Sequence, residues 1–556
     1  MNAGDPVSLG SVPPSGSFGL VGRPAGAPSL PRPLAGTAAD RAVVSPELSP
    51  ATRATVRGKF LYAGSEKLWV RGVTYGGFRP DAEQREYQDQ DVIDRDFVRM
   101  AQAGFNAVRT YIMPPRHVLD IAQRHGLRVM VSLCAEQFVG YLADSAAVRD
   151  LDEKIREAVR PCAAHPALLC YVLANEIPAS ILRWLGRRTV ERYLERIYQV
   201  VKQEDPDGLV TYVNYPSTEY LRLPFLDFVS FNVYLESEER YRAYLARLQN
   251  IAGDRPLVMS ELGLDSLRHG IDQQARTLSW QIRATFAAGC SGAFVFSWTD
   301  EWYRGGADVD DWDFGLTDRQ RRPKPALAAV RRAFAEVPFP STMSWPRVSV
   351  IVCAYNAERT IRDCCEGLVD LGYPDYEVIV VDDGSTDATA RIVNEFGVRM
   401  IQTPNRGLSQ ARNTGLDAAT GVIVAYTDAD ARPDPQWLTY LAEAFMTSSH
   451  VGIGGWNIAP AGDGGIADCV ANAPGGPVHV LLSDDEAEHI PGCSMAFRTE
   501  ALRAIGGFDP QFRSAGDDVD VCWRLQQRGW TLGFSHGALV WHHHRNSLAA
   551  YCHQQH

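Results

Sequence analysis

Eight short apolar runs between residues 56 and 335 constrain this chain more than any other feature of it. They read LWVRGVTY, NAVRTY, RVMVSL, LLCYVLANE, LVTYVN, FVSFNVY, PLVMSELG and GAFVFSW, and helix-like or loop segments such as IREAVRPCAA and YLERIYQVVKQ separate them. Near-continuous apolar strands alternating with amphipathic helices call for parallel strands buried on both faces. Eight such units in about 280 residues predict a closed (β/α)8 barrel, whose chemistry sits at the carboxyl ends of the strands.

On that reading Arg109 ends the second strand, Asn175 and Glu176 the fourth, Asn232 and Tyr234 the sixth, Glu261 the seventh and Trp298 the eighth. All should converge on one rim. A pair of carboxyl groups about 5 to 5.5 Å apart, one acting as acid/base and the other as nucleophile, is the arrangement for retaining glycoside hydrolysis. Strands four and seven can supply that pair across a barrel mouth. A nucleophile beside an arginine stays ionised whereas the acid/base must keep its proton, so the two environments have to differ.

The stretches HPALLCYVLANE, VMSELG and FVFSWTDEW resemble the barrels of the retaining β-glycosidase clan that includes β-galactosidases, β-glucuronidases and cellulases. RGVTYGGFRP and MAQAGFNAVRTY resemble the first two strands of its β-glucuronidase-like members. The resemblance covers residues 56 to about 335. It implies that Glu176 is the acid/base and Glu261 the nucleophile. Asn175 would then bond the sugar 2-hydroxyl, Arg109 and Tyr234 would orient Glu261, and Trp298 would floor the sugar subsite. Trp302, Tyr303 and Trp312 either extend that subsite or pack a loop, and the acidic run at Asp308, Asp310, Asp311 and Asp313 reads as a solvated face.

Three prolines in VPFPSTMSWPR (337–347) mark a boundary, after which strand and helix alternate again, as in an open doubly wound sheet that binds nucleotides at strand ends. VDDGSTD sets Asp382 and Asp383 at one strand-to-loop junction, and YTDAD sets Asp428 and Asp430 at another. Two carboxylates one residue apart can share a divalent cation that neutralises a diphosphate. These motifs, with ARNTG and SAGDDVDVCWRL, strongly resemble the family 2 inverting glycosyltransferases of GT-A fold from residue 347 onward. By that resemblance Ala354, Asn356 and Asp383 contact the nucleoside, Arg412 lies near the diphosphate, and Asp428 and Asp430 hold the metal, Mn²⁺ or Mg²⁺. Asp518 is then the base that deprotonates the acceptor, with its neighbour Asp517 as the alternative. In WHHHR (541–545) His542 is the first choice as a further metal ligand, and His544, on the same face, the second.

The expected organisation is a disordered Pro/Gly/Ala-rich leader over 1–52, a TIM barrel over 53–337, a linker over 338–347 and a GT-A domain over 348–556. The ending YCHQQH shows no terminal helix and reads as an incomplete C-terminal portion. A net charge of −12 argues against nucleic acid or anionic membrane as a partner. Eleven cysteines without a zinc-like pair read as reduced thiols, and Cys364-Cys365 as the small apolar start of a helix. No signal peptide or membrane span is recognisable, which predicts a cytoplasmic protein. RLQQRGW stands where processive synthases carry QxxRW, so transfer of one or a few sugars is expected. The expectation is a bifunctional enzyme: a retaining β-glycosidase or transglycosidase barrel plus metal-dependent inverting transfer from a nucleotide sugar, expected to be a UDP-sugar, to a glycan or glycolipid acceptor. The alternative is a transferase whose barrel only binds glycan.

Overall fold

Strands β4 (Val70–Thr74), β5 (Ala107–Arg109), β6 (Arg128–Ser132), β7 (Leu168–Asn175), β8 (Val210–Asn214), β9 (Val229–Asn232), β10 (Leu257–Leu262) and β11 (Gly292–Val295) close into a parallel barrel. Each coincides with one of the eight apolar runs, because strands covered by helices outside and side chains inside have no solvated face. In β7, seven of eight residues are buried, and only Asn175 at its end is not. The helices between them are amphipathic. In Arg187–Glu204, for example, Val190, Leu194, Ile197 and Val201 bury one stripe at helical spacing.

The computed structural model describes residues 53–545 other than 84, 88, 142–144, 461, 472 and 474–478, together with 547–549 and 552. The leader expected over 1–52 lies outside the described residues. Ahead of the barrel, β1 (Ala54–Arg57), β2 (Phe60–Ala63) and β3 (Glu66–Lys67) form a small antiparallel sheet that the apolar pattern did not reveal. Leu61 and Leu68 pack with Val70, Ala107, Cys170, Val258 and Phe294 at the amino ends of the barrel strands, so this sheet plugs the floor of the barrel. A second hairpin, β12 (Tyr303–Arg304) with β13 (Ala307–Asp308), follows the last barrel strand.

The second half is a ten-stranded mixed sheet. Its parallel portion comprises β14 (Val348–Ala354), β15 (Tyr376–Asp382), β16 (Arg399–Gln402) and β17 (Ile423–Asp428). The rest comprises β18 (Ala431–Pro433), β19 (Gly452–Ile458), β20 (Val480–Leu481), β21 (Glu486–His489), β22 (Met495–Arg498) and β23 (Leu532–His542), with β22 antiparallel to β17 and to β19. Cys364 and Cys365 are buried in the helix Ile361–Val369.

Both halves belong to one compact unit, Val44–His556. Phe60 and Tyr62 of the floor sheet share a hydrophobic cluster with Trp437, Tyr440 and Val350. The Tyr440 hydroxyl donates to the Phe286 carbonyl (3.1 Å), Asn250 Nδ2 to Asp484, and Lys67 Nζ to Asp434 (2.7 Å). Phe286 and Asn250 lie near the ends of helices that lead into the amino ends of β11 and β10. The transferase-like half is therefore seated on the floor of the barrel, at the opposite pole from the rim. With strands of three to eight residues, about 10 to 26 Å of barrel separates the two ends.

Candidate active sites

At the rim, Arg109 is the organising cation. Its side chain is 1% exposed, and Nη1 donates to Glu261 Oε1 (2.8 Å) and the Ser260 carbonyl (2.8 Å) while Nη2 donates to Asn175 Oδ1 (2.7 Å). Glu261 also accepts the Tyr111 hydroxyl on Oε1 (2.8 Å) and the Tyr234 hydroxyl on Oε2 (2.5 Å). Glu176 is treated differently. It takes one hydrogen bond, from Asn232 Nδ2 (2.8 Å), and burial followed by the nearby charge of Glu261 pushes its carboxyl above the ordinary range. The two carboxylates therefore sit in unlike surroundings, Glu261 among three donors and Glu176 beside one.

Local backbone fixes that arrangement. Glu176 has φ of +49°, a left-handed conformation that costs a non-glycine residue about 1–3 kcal/mol. Neighbours hold it on both sides: the Asn175 amide donates to Glu136 Oε2 (3.0 Å) and the Ile177 amide to the Tyr212 hydroxyl (3.0 Å). Asn175 Oδ1 is occupied by Arg109 and Asn232, and its Nδ2 has no protein partner among the described residues.

Trp298 is placed otherwise than expected. It is 0% exposed and meets Phe105 edge to face (6.3 Å between ring centres), so it presents no face to the rim. The strand ends at Val295, and the alternation that would point residue 298 into the mouth no longer applies beyond it. Phe296 stands in its stead, with Trp302 at 4.9 Å, Trp312 stacked at 5.3 Å, and Tyr111 and Tyr234 edge-on. Tyr111 and Asn232, both bonded to the carboxylates, were not assigned roles from sequence. Tyr111 lies two residues beyond Arg109, a spacing that signals it. The acidic run is partly paired rather than purely solvated: Asp308 pairs with Arg79, and Asp313 with Arg319 (2.7 Å).

In the second half, a cleft of about 1630 Å³ runs along the carboxyl ends of β14, β15 and β17. Ala354, Asn356, Asp383, Arg412, Asp428, Asp430, Asp518, His542 and His544 all line it. Asp383 accepts the amides of Arg406 (2.9 Å) and Gly407 (2.8 Å), which ties two loops together at the cleft wall. Asn356, at φ +50°, accepts the Thr386 amide (2.8 Å). Arg412 is 3% exposed and forms ion pairs with Asp517 and, at 3.4 Å, with Asp428. Its guanidinium thus positions carboxylates. Asp517, 1% exposed, is occupied by that pair, whereas Asp518 is half-buried at the cleft, with Oδ2 accepting the Gly492 amide (3.0 Å).

Asp428, Asp430 and His542 bring one ligand atom each within 4.8 Å of one another. His542 Nε2 lies 3.2 Å from Asp430, and its Nδ1 is buried without a hydrogen-bond partner. Burial raises the Asp428 carboxyl, whereas for Asp430 the imidazole of His542 and Arg545 outweigh burial and hold the carboxyl low. Two carboxylates and one imidazole suit Mn²⁺ or Mg²⁺ in their donor types. His543, which also lines the cleft, is bonded to Asp463 (2.9 Å), and His544 packs against His542 with 4.5 Å between ring centres.

A closed barrel with two unlike carboxylates on its rim, followed by a GT-A sheet with an aspartate pair at its switch point, is the architecture of a glycoside hydrolase-like barrel joined to a glycosyltransferase domain. Residues 55–339, just over half of the chain, match the TIM barrel domain of glycosyl hydrolases family 2, and residues 349–506 match glycosyl transferase family 2. The chain belongs to glycosyl hydrolase family 2 through its barrel and carries a family 2 glycosyl transferase domain. It is 29% identical over 214 residues to glycosyltransferase AglE of Haloferax volcanii, covering 36% of this chain and 68% of that protein. It is 31% identical over 224 residues to the pre-mycofactocin glycosyltransferase of Mycobacterium tuberculosis, covering 38% of this chain and 45% of that one. Among solved structures, a GH2 beta-galacturonidase from Eisenbergiella tayi bound to galacturonate is 19% identical with a TM-score of 0.43, covering 51% of this chain and 54% of that chain. Among the described residues no helix is long and apolar enough to cross a membrane.

Proposed function

We propose that the chain is a bifunctional carbohydrate enzyme, in which the barrel cleaves or transfers β-glycosides with retention and the second half transfers a sugar, with inversion, from a nucleotide sugar to a glycan or glycolipid acceptor. The observation that carries the first activity is the contrast between Glu261, held by Arg109, Tyr111 and Tyr234, and Glu176, half-buried with a raised carboxyl and, among the described residues, a single donor. Glu261 attacks the anomeric carbon while Glu176 gives its proton to the leaving oxygen. Glu176 then takes the proton of the incoming hydroxyl as the glycosyl bond to Glu261 breaks. Asn175 offers its free Nδ2 to the sugar, and Phe296 with Trp302 supplies the apolar wall beneath it.

For the second activity, Asp518 at the cleft removes the acceptor proton during in-line attack on the donor sugar. Asp428, Asp430 and His542 would hold the divalent cation, which neutralises the departing nucleoside diphosphate. Arg412 keeps Asp428 and Asp517 in register, so that Asp518 is the carboxylate left to act. A UDP-sugar is the donor we favour.

The placement of the two mouths bears on how the activities cooperate. Because the transferase sits on the barrel floor, a glycan passing from one site to the other must leave the protein surface, and the fusion sets a fixed spacing instead of a shared chamber. The test has two arms on the whole chain. A panel of nucleotide sugars with Mn²⁺ or Mg²⁺, scored by nucleotide release, should identify one preferred donor. Aryl β-glycosides should be turned over by the wild type and not by Glu261→Gln. Glycan binding without turnover across a broad panel would make the barrel a binding module.

A further inference from the structure

The floor sheet touches β23, which carries His542, and the residues just beyond β18, the strand that follows Asp430. Strand β18 begins one residue after Asp430 and pairs antiparallel with β23, setting Ala431 opposite His542 and Arg432 opposite Trp541. The His543 amide also donates to the Asp430 carbonyl (2.9 Å). The relative position of Asp430 and His542 is therefore the register of this strand pair. Both strands are gripped on the side away from the cleft by residues that precede the barrel in sequence.

One grip is at Lys67. Its Nζ donates to Asp434 Oδ1 (2.7 Å) and Gln436 Oε1 (2.6 Å), immediately beyond β18, and lies 3.7 Å from the centre of the Phe60 ring. The side chains of Lys67 and Asp434 are 8% and 0% exposed, and the Asp434 amide donates to the Leu539 carbonyl of β23 (3.0 Å). The other grip is the turn between β1 and β2. A Cβ added at Gly58 would lie 2.7 Å from the Trp541 ring, and Gly58 has φ of +52°, so glycine lets the turn lie flat on the residue beside His542. Lys59 Nζ sits 4.6 Å over the ring of Trp456, in the strand that pairs with β23.

We propose that the floor sheet of the barrel is a brace for the transferase's metal site, with Lys67 as a positioning residue that acts through Asp434 on the β18–β23 register. The barrel is then part of the transferase's working structure whether or not its own rim is active. The inference rests on the reading of Asp428, Asp430 and His542 as the metal residues.

The test measures binding of Mn²⁺ alone to the whole chain, by the spectroscopic signal of the free ion, together with thermal unfolding. Lys67→Met should weaken Mn²⁺ binding about tenfold, the lower end of what loss of an outer supporting partner costs a metal site. Lys67→Met leaves Asp434 buried without its cation, so Lys67→Met/Asp434→Asn, which removes both buried charges, is measured beside it and should show the same weakening at temperatures well below its melting point. Lys67→Arg, which keeps a donor for Asp434 and Gln436, should bind within about twofold of the wild type. Wild-type affinity in the folded double variant overturns the brace. Absence of Mn²⁺ binding by the wild type, or unchanged binding in Asp430→Asn, overturns the metal reading and the brace with it.

Discussion

Arg109 and Glu261 form a buried ion pair, 2.8 Å from Nη1 to Oε1, at the centre of the barrel rim. The same guanidinium reaches the Ser260 carbonyl and Asn175, so one planar cation fixes Glu261 and the residue before Glu176 together. Lysine cannot reproduce that fork. Arg109→Lys should therefore lower glycosidase kcat, and Arg109→Met should also lower the melting temperature, since stripping one partner from a buried pair costs about 3–5 kcal/mol. Thermal unfolding of both variants, read beside aryl glycoside turnover, checks the order.

The pH profile of the barrel follows Glu176, whose carboxyl is raised by burial and then by the charge of Glu261, with Arg304 as a smaller opposing influence. The side chain of this exposed arginine on β12 makes no hydrogen bond or ion pair among the described residues, and its charge favours the ionised form of Glu176. Glu176 must be protonated to act as acid, so kcat/KM should fall as pH rises through its raised value. Arg304→Gln removes a charge that lowers that value, and the basic limb should move to higher pH. An unmoved limb, or one shifted downward, would remove Glu176 as the acid.

Replacing the acid itself gives a second signature. Glu176→Gln should cost about 10²- to 10⁴-fold in kcat/KM for alkyl glycosides. Aryl glycosides with acidic leaving groups need little protonation and should lose much less. Equal losses for both classes would contradict the role.

In the transferase half, Asp518→Asn should lower sugar transfer about 10²- to 10⁴-fold, the usual worth of a positioned base. Aryl glycoside turnover should be unchanged, because the base lies in the cleft and not on the rim. Chelation by EDTA should likewise abolish transfer and spare the barrel. Loss of both activities in a folded Asp518→Asn protein would contradict independent sites.

Much of this was legible because parallel strands buried on both faces leave an unmistakable apolar run, and because Glu176, Glu261, Asp428 and Asp430 each end such a run. The floor sheet was not legible: ATVR and FLYA are too short and mixed to show a period, and the burial of Phe60 and Tyr62 depends on a domain more than 280 residues away in sequence. Trp298 misled for a related reason. Strand alternation carries a side chain's direction only as far as the strand, and this one stops at Val295. Tyr111 and Asn232 were within reach, since each shares its strand end with an assigned residue.

Gly492 links the base to the ion-pair network and offers a final check. Its amide donates to Asp518 Oδ2 at 3.0 Å, and a Cβ added to it would lie 2.4 Å from Nη2 of Arg412. That guanidinium is held between Asp517 and Asp428 in a buried setting and cannot swing aside without breaking an ion pair. Gly492→Ala should therefore disturb both the base and Asp428 at once, through overpacking that typically costs about 1–3 kcal/mol. Transfer should fall sharply and Mn²⁺ binding should weaken, while aryl glycoside turnover holds. Gly465→Ala, where an added Cβ meets nothing within 4 Å, is the matched control and should leave transfer as it is. Full transfer activity in Gly492→Ala would show that the Arg412 network does not position the base.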